Sequence, residues 1–183
     1  MAGRLIAVVG PSGVGKDSLI AALYTACPDL HSVRRAITRP PAADDAEVFE
    51  CLTEAEFKAR RVRGDFVLHW CAHGLSYGIP VAARDIVVSG GDVLVNLSRG
   101  ILTEAAQIFG YDTMHVLSIT ARPDVLAHRL KHRGRETPMD VARRLARPAP
   151  DFPAGLRITM IDNSGSLDES VRVARRALYP RNA

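Results

Sequence analysis

One stretch carries most of the chemistry open to this chain: Gly10-Pro11-Ser12-Gly13-Val14-Gly15-Lys16-Asp17-Ser18. Its glycines let the backbone curl until successive N–H groups converge on one anion. A helix that begins at its end adds a partial positive charge at the same point. Lys16 supplies a mobile cation for the β- and γ-phosphates of a nucleotide. The G-x-x-x-x-G-K spacing earns the name P-loop only between a strand and a helix. Arg4-Leu-Ile-Ala-Val-Val9 reads as a short buried parallel strand, and Leu19-Ile-Ala-Ala-Leu-Tyr24 reads as a helix. Both flanks agree, so all nine residues from Gly10 to Ser18 are candidates for nucleotide binding.

One position departs from the usual pattern. After the lysine, P-loops generally carry Ser or Thr, whose hydroxyl binds Mg²⁺. Here Asp17 follows, with Ser18 next. A carboxylate is a hard oxygen ligand, and beside a triphosphate its negative charge is tolerable mainly when a metal lies between them. Asp17 and Ser18 are therefore the candidate metal residues.

Length and composition bound the rest. With 183 residues the chain can bury one sizeable core. No apolar run approaches the roughly 20 residues of a membrane span. The short N-terminal apolar run leads into the P-loop and does not read as a signal sequence. Cys27, Cys51 and Cys71 lack C-x-x-C spacing and read as reduced thiols, which suits the cytoplasm. The net charge of +4 is carried almost wholly by arginine. Those arginines are spread over several segments without an interleaved aromatic stripe. They suit a polyanionic small molecule better than nucleic acid.

The elements that must position the loop follow in order. Cys27-Pro28 ends the first helix. Ser32 to Arg39 is an extended segment, Pro40 to Asp45 a polar loop, and Val48 to Leu52 a short strand. Thr53-Glu-Ala-Glu56 is a capping box opening a helix through Arg63, which Gly64 closes. Phe66 to Cys71 is a strand, Gly74 to Gly78 a turn, and Pro80 the start of a helix to about Ser89. Strands over Asp92–Leu97, Met114–Thr120 and Leu156–Ile161 alternate with helices over Leu102–Phe109, Pro123–His132 and Asp168–Leu178. A shorter helix is expected over Met139–Arg147, with Gly134, Pro148, Pro150 and Pro153 as hinges. Alternating strands and helices predict an α/β fold, a parallel sheet covered on both faces, with ligand loops at the strands' carboxyl ends.

Gly10 to Lys16, Ile37-Thr-Arg39-Pro40, Glu56-Phe57, Tyr77-Gly78 and Arg129-Leu-Lys-His-Arg133-Gly134 together resemble guanylate kinases in type and order, over nearly the whole chain. The resemblance implies a guanylate kinase-like P-loop NTPase in a single kinase domain. Its core would be 1–31, 81–131 and 151–183, with a substrate-binding insert over about 32–80 and a mobile lid over about 132–150. It implies ATP and Mg²⁺ as cofactors and transfer of the terminal phosphoryl group to a phosphate acceptor. Arg39 and Tyr77 would hold that acceptor. Arg35 would stand in for a second family arginine whose place is taken by Ala42. Lys16 and the lid arginines Arg133, Arg135 and Arg144, with Arg143 as a further candidate, would act on the transferring group.

Departures from the resemblance bear on the acceptor. The glutamate that holds guanine, nine residues before the tyrosine of the Tyr-Gly pair, is here Leu68. The Ser or Thr after that pair is Ile79, and an early tyrosine is Phe49. An apolar wall at these places would leave the polar edge of a base unpaired. Gly-Lys-Asp-Ser, Ile-Thr-Arg, Tyr-Gly and Asp92-Val-Leu-Val-Asn-Leu-Ser-Arg99 are similar to a narrower group, the ribose 1,5-bisphosphate phosphokinases of bacterial phosphonate catabolism. That resemblance implies phosphorylation of a sugar phosphate on its anomeric phosphate, giving 5-phosphoribosyl 1-diphosphate and ADP. A nucleoside monophosphate kinase with altered base preference and a non-catalytic binding module remain as alternatives. The strand Asp92–Leu97 has Asn96 near its carboxyl end, where many P-loop enzymes place an acid, which leaves more of any metal duty to Asp17. Asn96, Ser98 and Arg99 are further candidates for touching the acceptor.

Overall fold

The computed structural model describes residues 3–40, 48–133 and 151–180, the side chains of 130–133 excepted. The first strand, β1 (Leu5–Val9), is buried along its whole length, as the unbroken apolar run predicts. It leads through the Gly-rich loop into α1 (Lys16–Ala26). β2 (Leu30–Ser32) returns to the same sheet. With β7 (Asp92–Asn96), β8 (Met114–Thr120) and β9 (Arg157–Asp162), it completes a five-stranded parallel sheet in the order β2-β7-β1-β8-β9.

Alternate residues of the central strands feed two cores. Ile6, Val8, Leu94, Leu117 and Ile119 face α1 and α6 (Leu167–Leu178). Leu5, Ala7, Val9, Val93, Val95 and Val116 face α3 (Ala82–Val88) and α4 (Leu102–Phe109). This is the expected sheet covered on both faces. α5 (Pro123–Arg133) follows β8.

Between β2 and α3 lies a second sheet of four strands in the order β4-β3-β6-β5. These are β3 (Ala36–Ile37), β4 (Glu50–Cys51), β5 (Phe66–Ala72) and β6 (Leu75–Pro80). α2 (Glu54–Arg63) carries the full capping box between Thr53 and Glu56 and ends at Gly64, as its sequence predicts. Phe57 stacks on Phe66 with ring centroids 4.8 Å apart, forming a small core of its own with Ala36.

Three local expectations are corrected. The turn is confined to His73-Gly74, and Tyr77-Gly78 lies in β6, bonded on both sides to β3 and β5. Pro80 closes that strand instead of opening a helix, and α3 begins at Ala82. The extended segment from Ser32 to Arg39 is divided between two sheets, its first residue ending β2 and its middle forming β3. The expected helix over Met139–Arg147 and Ala42 lie outside the described residues.

At the end of the main sheet remote from the loop, His115 is buried and its Nε2 lies 2.9 Å from the Thr159 hydroxyl. Its Nδ1 has no hydrogen-bond partner among the described residues. Burial, with the positive charges of Arg157 and Arg4 nearby, pushes its pKa down from 6.5 to about 4. The unfolded chain therefore binds a proton that the native fold refuses. Stability is intact above pH 6.5 and is lost as pH falls from there toward 4, by about 3 kcal/mol. Urea unfolding at pH 7.5 and 4.5 should show this loss, and His115→Gln should remove most of it. An equal loss in the variant would contradict the assignment.

Candidate active site

The loop is built on close approach. A Cβ at Gly10 would lie 2.5 Å from the Ile119 carbonyl oxygen, so only glycine lets the chain leave β1 beside β8. Gly15 adopts φ +93°, and a Cβ there would meet Asn163 Nδ2 at 2.5 Å. Between them Val14 is wholly buried in the α1-side core and pins the loop from inside. Its carbonyl accepts from Asn163 Nδ2 at 2.7 Å and from Arg129 Nη1 at 3.2 Å. Asn163 is itself fixed by the Ser170 hydroxyl, which donates to its Oδ1 at 2.8 Å.

Asn163 escaped the sequence reading. Its one signal was position, in a polar Asp-Asn-Ser-Gly run just past the carboxyl end of the last strand. Asn163→Ala should strand buried polar groups on both sides and cost about 1–3 kcal/mol in urea unfolding. A loss below about 0.5 kcal/mol, the range of ordinary surface changes, would show that the clamp is dispensable.

Lys16 opens α1, and its Nζ donates to the carbonyls of Gly10 at 2.9 Å and Pro11 at 3.0 Å. The ammonium is thus folded over the loop it serves. Beside it lies a polar cleft of about 230 Å³, lined by Ser12, Gly13, Gly15, Lys16, Asp17, Arg35, Ile37, Arg39, Tyr77 and Asn96. The cleft brings residues of the core and of the second sheet together. Among its lining side chains three are cationic and one, Asp17, is a carboxylate.

The far wall is preorganised by aromatic rings. Arg35 is buried, donates from Nη1 to the Asn96 carbonyl at 2.9 Å, and lies 5.5 Å from the centre of the Tyr77 ring. Tyr77 stacks on Trp70, with centroids 5.2 Å apart and planes 8° off parallel. The Arg39 guanidinium rests on Phe49 at 4.5 Å. Such contacts hold the plane of an arginine fork against a ring face. Asn96, at the tip of β7, also donates from Nδ2 to Asp17 Oδ1 at 3.2 Å, so it links Arg35 to Asp17. Ser18 is exposed on α1 and is not among the cleft-lining residues.

Leu68 and Ile79 require a correction. Each is 1 % exposed and belongs to the large core with Val95, Leu97 and Val116, so neither forms a wall of the cleft. They pair across β5 and β6, and that end of the hairpin is turned into the main core. Phe49 supports Arg39. Arg133 is the last residue of α5, and Arg135, Arg143 and Arg144 lie outside the described residues.

The cleft suits phosphate. Loop amides, one ammonium and two guanidiniums converge with no cluster of three metal-ligating side chains among the described residues. That donor set fits a Mg²⁺ carried largely on phosphate oxygens, with Asp17 the carboxylate at hand, and does not fit an all-protein metal cage.

Comparison with known proteins agrees with this geometry. No family model matches the sequence. Among solved structures, a guanylate kinase from Anaplasma phagocytophilum superposes with TM-score 0.72 at 15% identity, covering 100% of this chain and 88% of that one. A gluconokinase from Sinorhizobium meliloti gives 0.56 at 20% identity, covering 98% and 93%. These show the fold alone, guanylate kinase-like and α/β as the motif order predicts. Among curated proteins, the ribose 1,5-bisphosphate phosphokinase PhnN of Ruegeria sp. (strain TM1040) is 48% identical over 182 residues, 99% of this chain and 94% of that protein. The protein of the same name from Pseudomonas paraeruginosa is 43% identical over 94% and 93%. Identity at this level, along nearly the full length of both partners, means that the chain belongs to the ribose 1,5-bisphosphate phosphokinase family.

Proposed function

We propose that this enzyme transfers the γ-phosphoryl group of ATP to the anomeric phosphate of ribose 1,5-bisphosphate, giving 5-phosphoribosyl 1-diphosphate and ADP. The observation that carries the reading is the single cleft in which Lys16 faces Arg35, Arg39 and Tyr77. The bond from the γ-phosphorus to the bridging oxygen of ADP breaks as one forms to an acceptor phosphate oxygen. That oxygen is already ionised near neutral pH, so positioning and charge neutralisation suffice and no strong general base is needed.

The loop amides from Gly10 to Gly15 and Lys16 hold the nucleotide phosphates. Asp17, with Ser18 next to it, would hold Mg²⁺, which would supply neutralisation of phosphate charge when bound. Arg35 and Arg39 grip the acceptor with bidentate forks, and Tyr77 donates its hydroxyl. The family resemblance assigns Arg133, Arg135 and Arg144 to the transferring group; Arg135 and Arg144, with residues 134–150, lie outside the described residues. No helix of the described residues is long and apolar enough to cross a membrane, and a cytoplasmic enzyme acting on a sugar phosphate is the setting we favour. A nucleoside monophosphate kinase is disfavoured by the packing of Leu68 and Ile79. A non-catalytic module is disfavoured by the intact Lys16.

The test is product chemistry. With ATP, Mg²⁺ and ribose 1,5-bisphosphate, ³¹P resonance should show a new diphosphate doublet growing in step with ADP. ADP formed with free phosphate and no diphosphate sugar would overturn the reading.

A further inference from the structure

Arg99 is a charged residue that the fold places with care and that the cleft does not account for. It begins the 3-10 turn Arg99–Ile101 just beyond β7. From there its Nη2 donates to the hydroxyl of Ser118 on β8 at 3.2 Å. In the sheet β1 lies between β7 and β8, and Ser118 stands opposite Val9, the residue before Gly10. The side chain therefore spans the carboxyl end of β1, at the root of the phosphate-binding loop. Its guanidinium is stacked 4.7 Å above the centre of the Phe152 ring.

Two facts set it apart from an ordinary surface arginine. Its Nε is buried with no hydrogen-bond partner, and no carboxylate pairs with it among the described residues. Burial lowers its pKa, although a guanidinium keeps its charge. A partly buried cation without a counter-ion is costly unless an anion completes it in the working state.

The anchor of Arg35 is the Asn96 carbonyl on β7, and the anchor of Arg99 is Ser118 on β8. Two strand spacings, about 10 Å, separate these anchors across the end of β1. Two phosphates at opposite ends of one furanose ring can bridge such a pair of guanidiniums. We propose that Arg99 is a specificity-determining residue that binds the acceptor phosphate remote from the reaction, the one on the 5-carbon, while Arg35 and Arg39 hold the accepting phosphate. This rests on the reading of the acceptor as ribose 1,5-bisphosphate.

The experiment compares wild type, Arg99→Gln and Arg99→Lys with ribose 1,5-bisphosphate and ribose 1-phosphate as acceptors. Arg99→Gln should raise KM for the bisphosphate about 100-fold, as loss of a charge-assisted phosphate contact does. It should leave KM for ATP within about twofold and abolish the preference over ribose 1-phosphate. Arg99→Lys should recover part of that preference. Equal losses on both acceptors, or no loss, would overturn the proposal. Should Arg99→Gln fail to fold by thermal unfolding, Arg99→Lys alone decides, through a KM raised for the bisphosphate only. Calorimetric binding of ribose 5-phosphate reads the same contact without turnover, and Arg99→Gln should weaken it at least tenfold. If wild type makes no diphosphate sugar, the functional reading falls. The binding contrast still judges Arg99, and equal affinities, or no binding to wild type, would count against it.

Discussion

Lys16→Ala is expected to leave a folded protein whose kcat/KM falls by about 1,000-fold, mostly in kcat. The fold should survive because the ammonium's hydrogen bonds to the carbonyls of Gly10 and Pro11 lie at a partly solvated loop where water can replace them. Val14 and the Asn163 clamp, not Lys16, hold the loop to the core. Activity should collapse because charge develops on oxygens that nothing else in the loop can follow. A preorganised donor in a partly dry site is worth about 3–4 kcal/mol in the transition state. Steady-state kinetics beside a urea unfolding curve tests this. Turnover within tenfold of wild type, in a variant of native stability, would remove the P-loop lysine from the mechanism.

The second large effect concerns the acceptor. With ATP and Mg²⁺, kcat/KM for GMP should lie at least about 1,000-fold below that for ribose 1,5-bisphosphate. Its basis is steric before it is polar. Leu68 and Ile79 are 1 % exposed, interlocked with Val95, Leu97 and Val116, and so no base edge can reach them without opening the main core. The unoccupied volume beside Lys16 is about 230 Å³ and polar, suited to phosphate groups. Restoring the guanylate kinase residue should therefore not restore the activity. Leu68→Glu would bury an unpaired carboxylate and cost several kcal/mol of stability without gaining GMP turnover. Arg39→Ala, by contrast, should raise the acceptor KM while leaving that of ATP nearly unchanged. Comparable efficiencies for GMP and the bisphosphate, measured by ADP release, would refute this account of selectivity.

What the sequence by itself determined was whatever is written in contiguous residues. The Gly10–Ser18 loop, the strand before it and the helix after it are local, and glycine geometry and hydrophobic run length suffice to read them. The Thr53–Glu56 capping box closes within four residues and is formed as read. The alternation of buried strands and helices likewise carries the parallel sheet and the loop's place at its carboxyl edge.

Tertiary structure decided what depends on partners distant in the chain. Gly74-Leu-Ser-Tyr-Gly78 reads as a turn, yet hydrogen bonds from β3 and β5 on both sides make Leu75–Pro80 a central strand and aim Tyr77 into the cleft. Leu68 and Ile79 look like pocket walls in one dimension, and only the docking of the β5–β6 hairpin onto the main core buries them. Asn96 joins Arg35 to Asp17, residues 61 and 79 positions away, and Asn163 holds a loop 149 positions before it. Arg99 acquires its place across β1 only because the sheet inserts that strand between β7 and β8. Propensity and spacing act over a few residues, whereas burial and the pairing of polar groups are set by whichever surfaces the completed fold brings together.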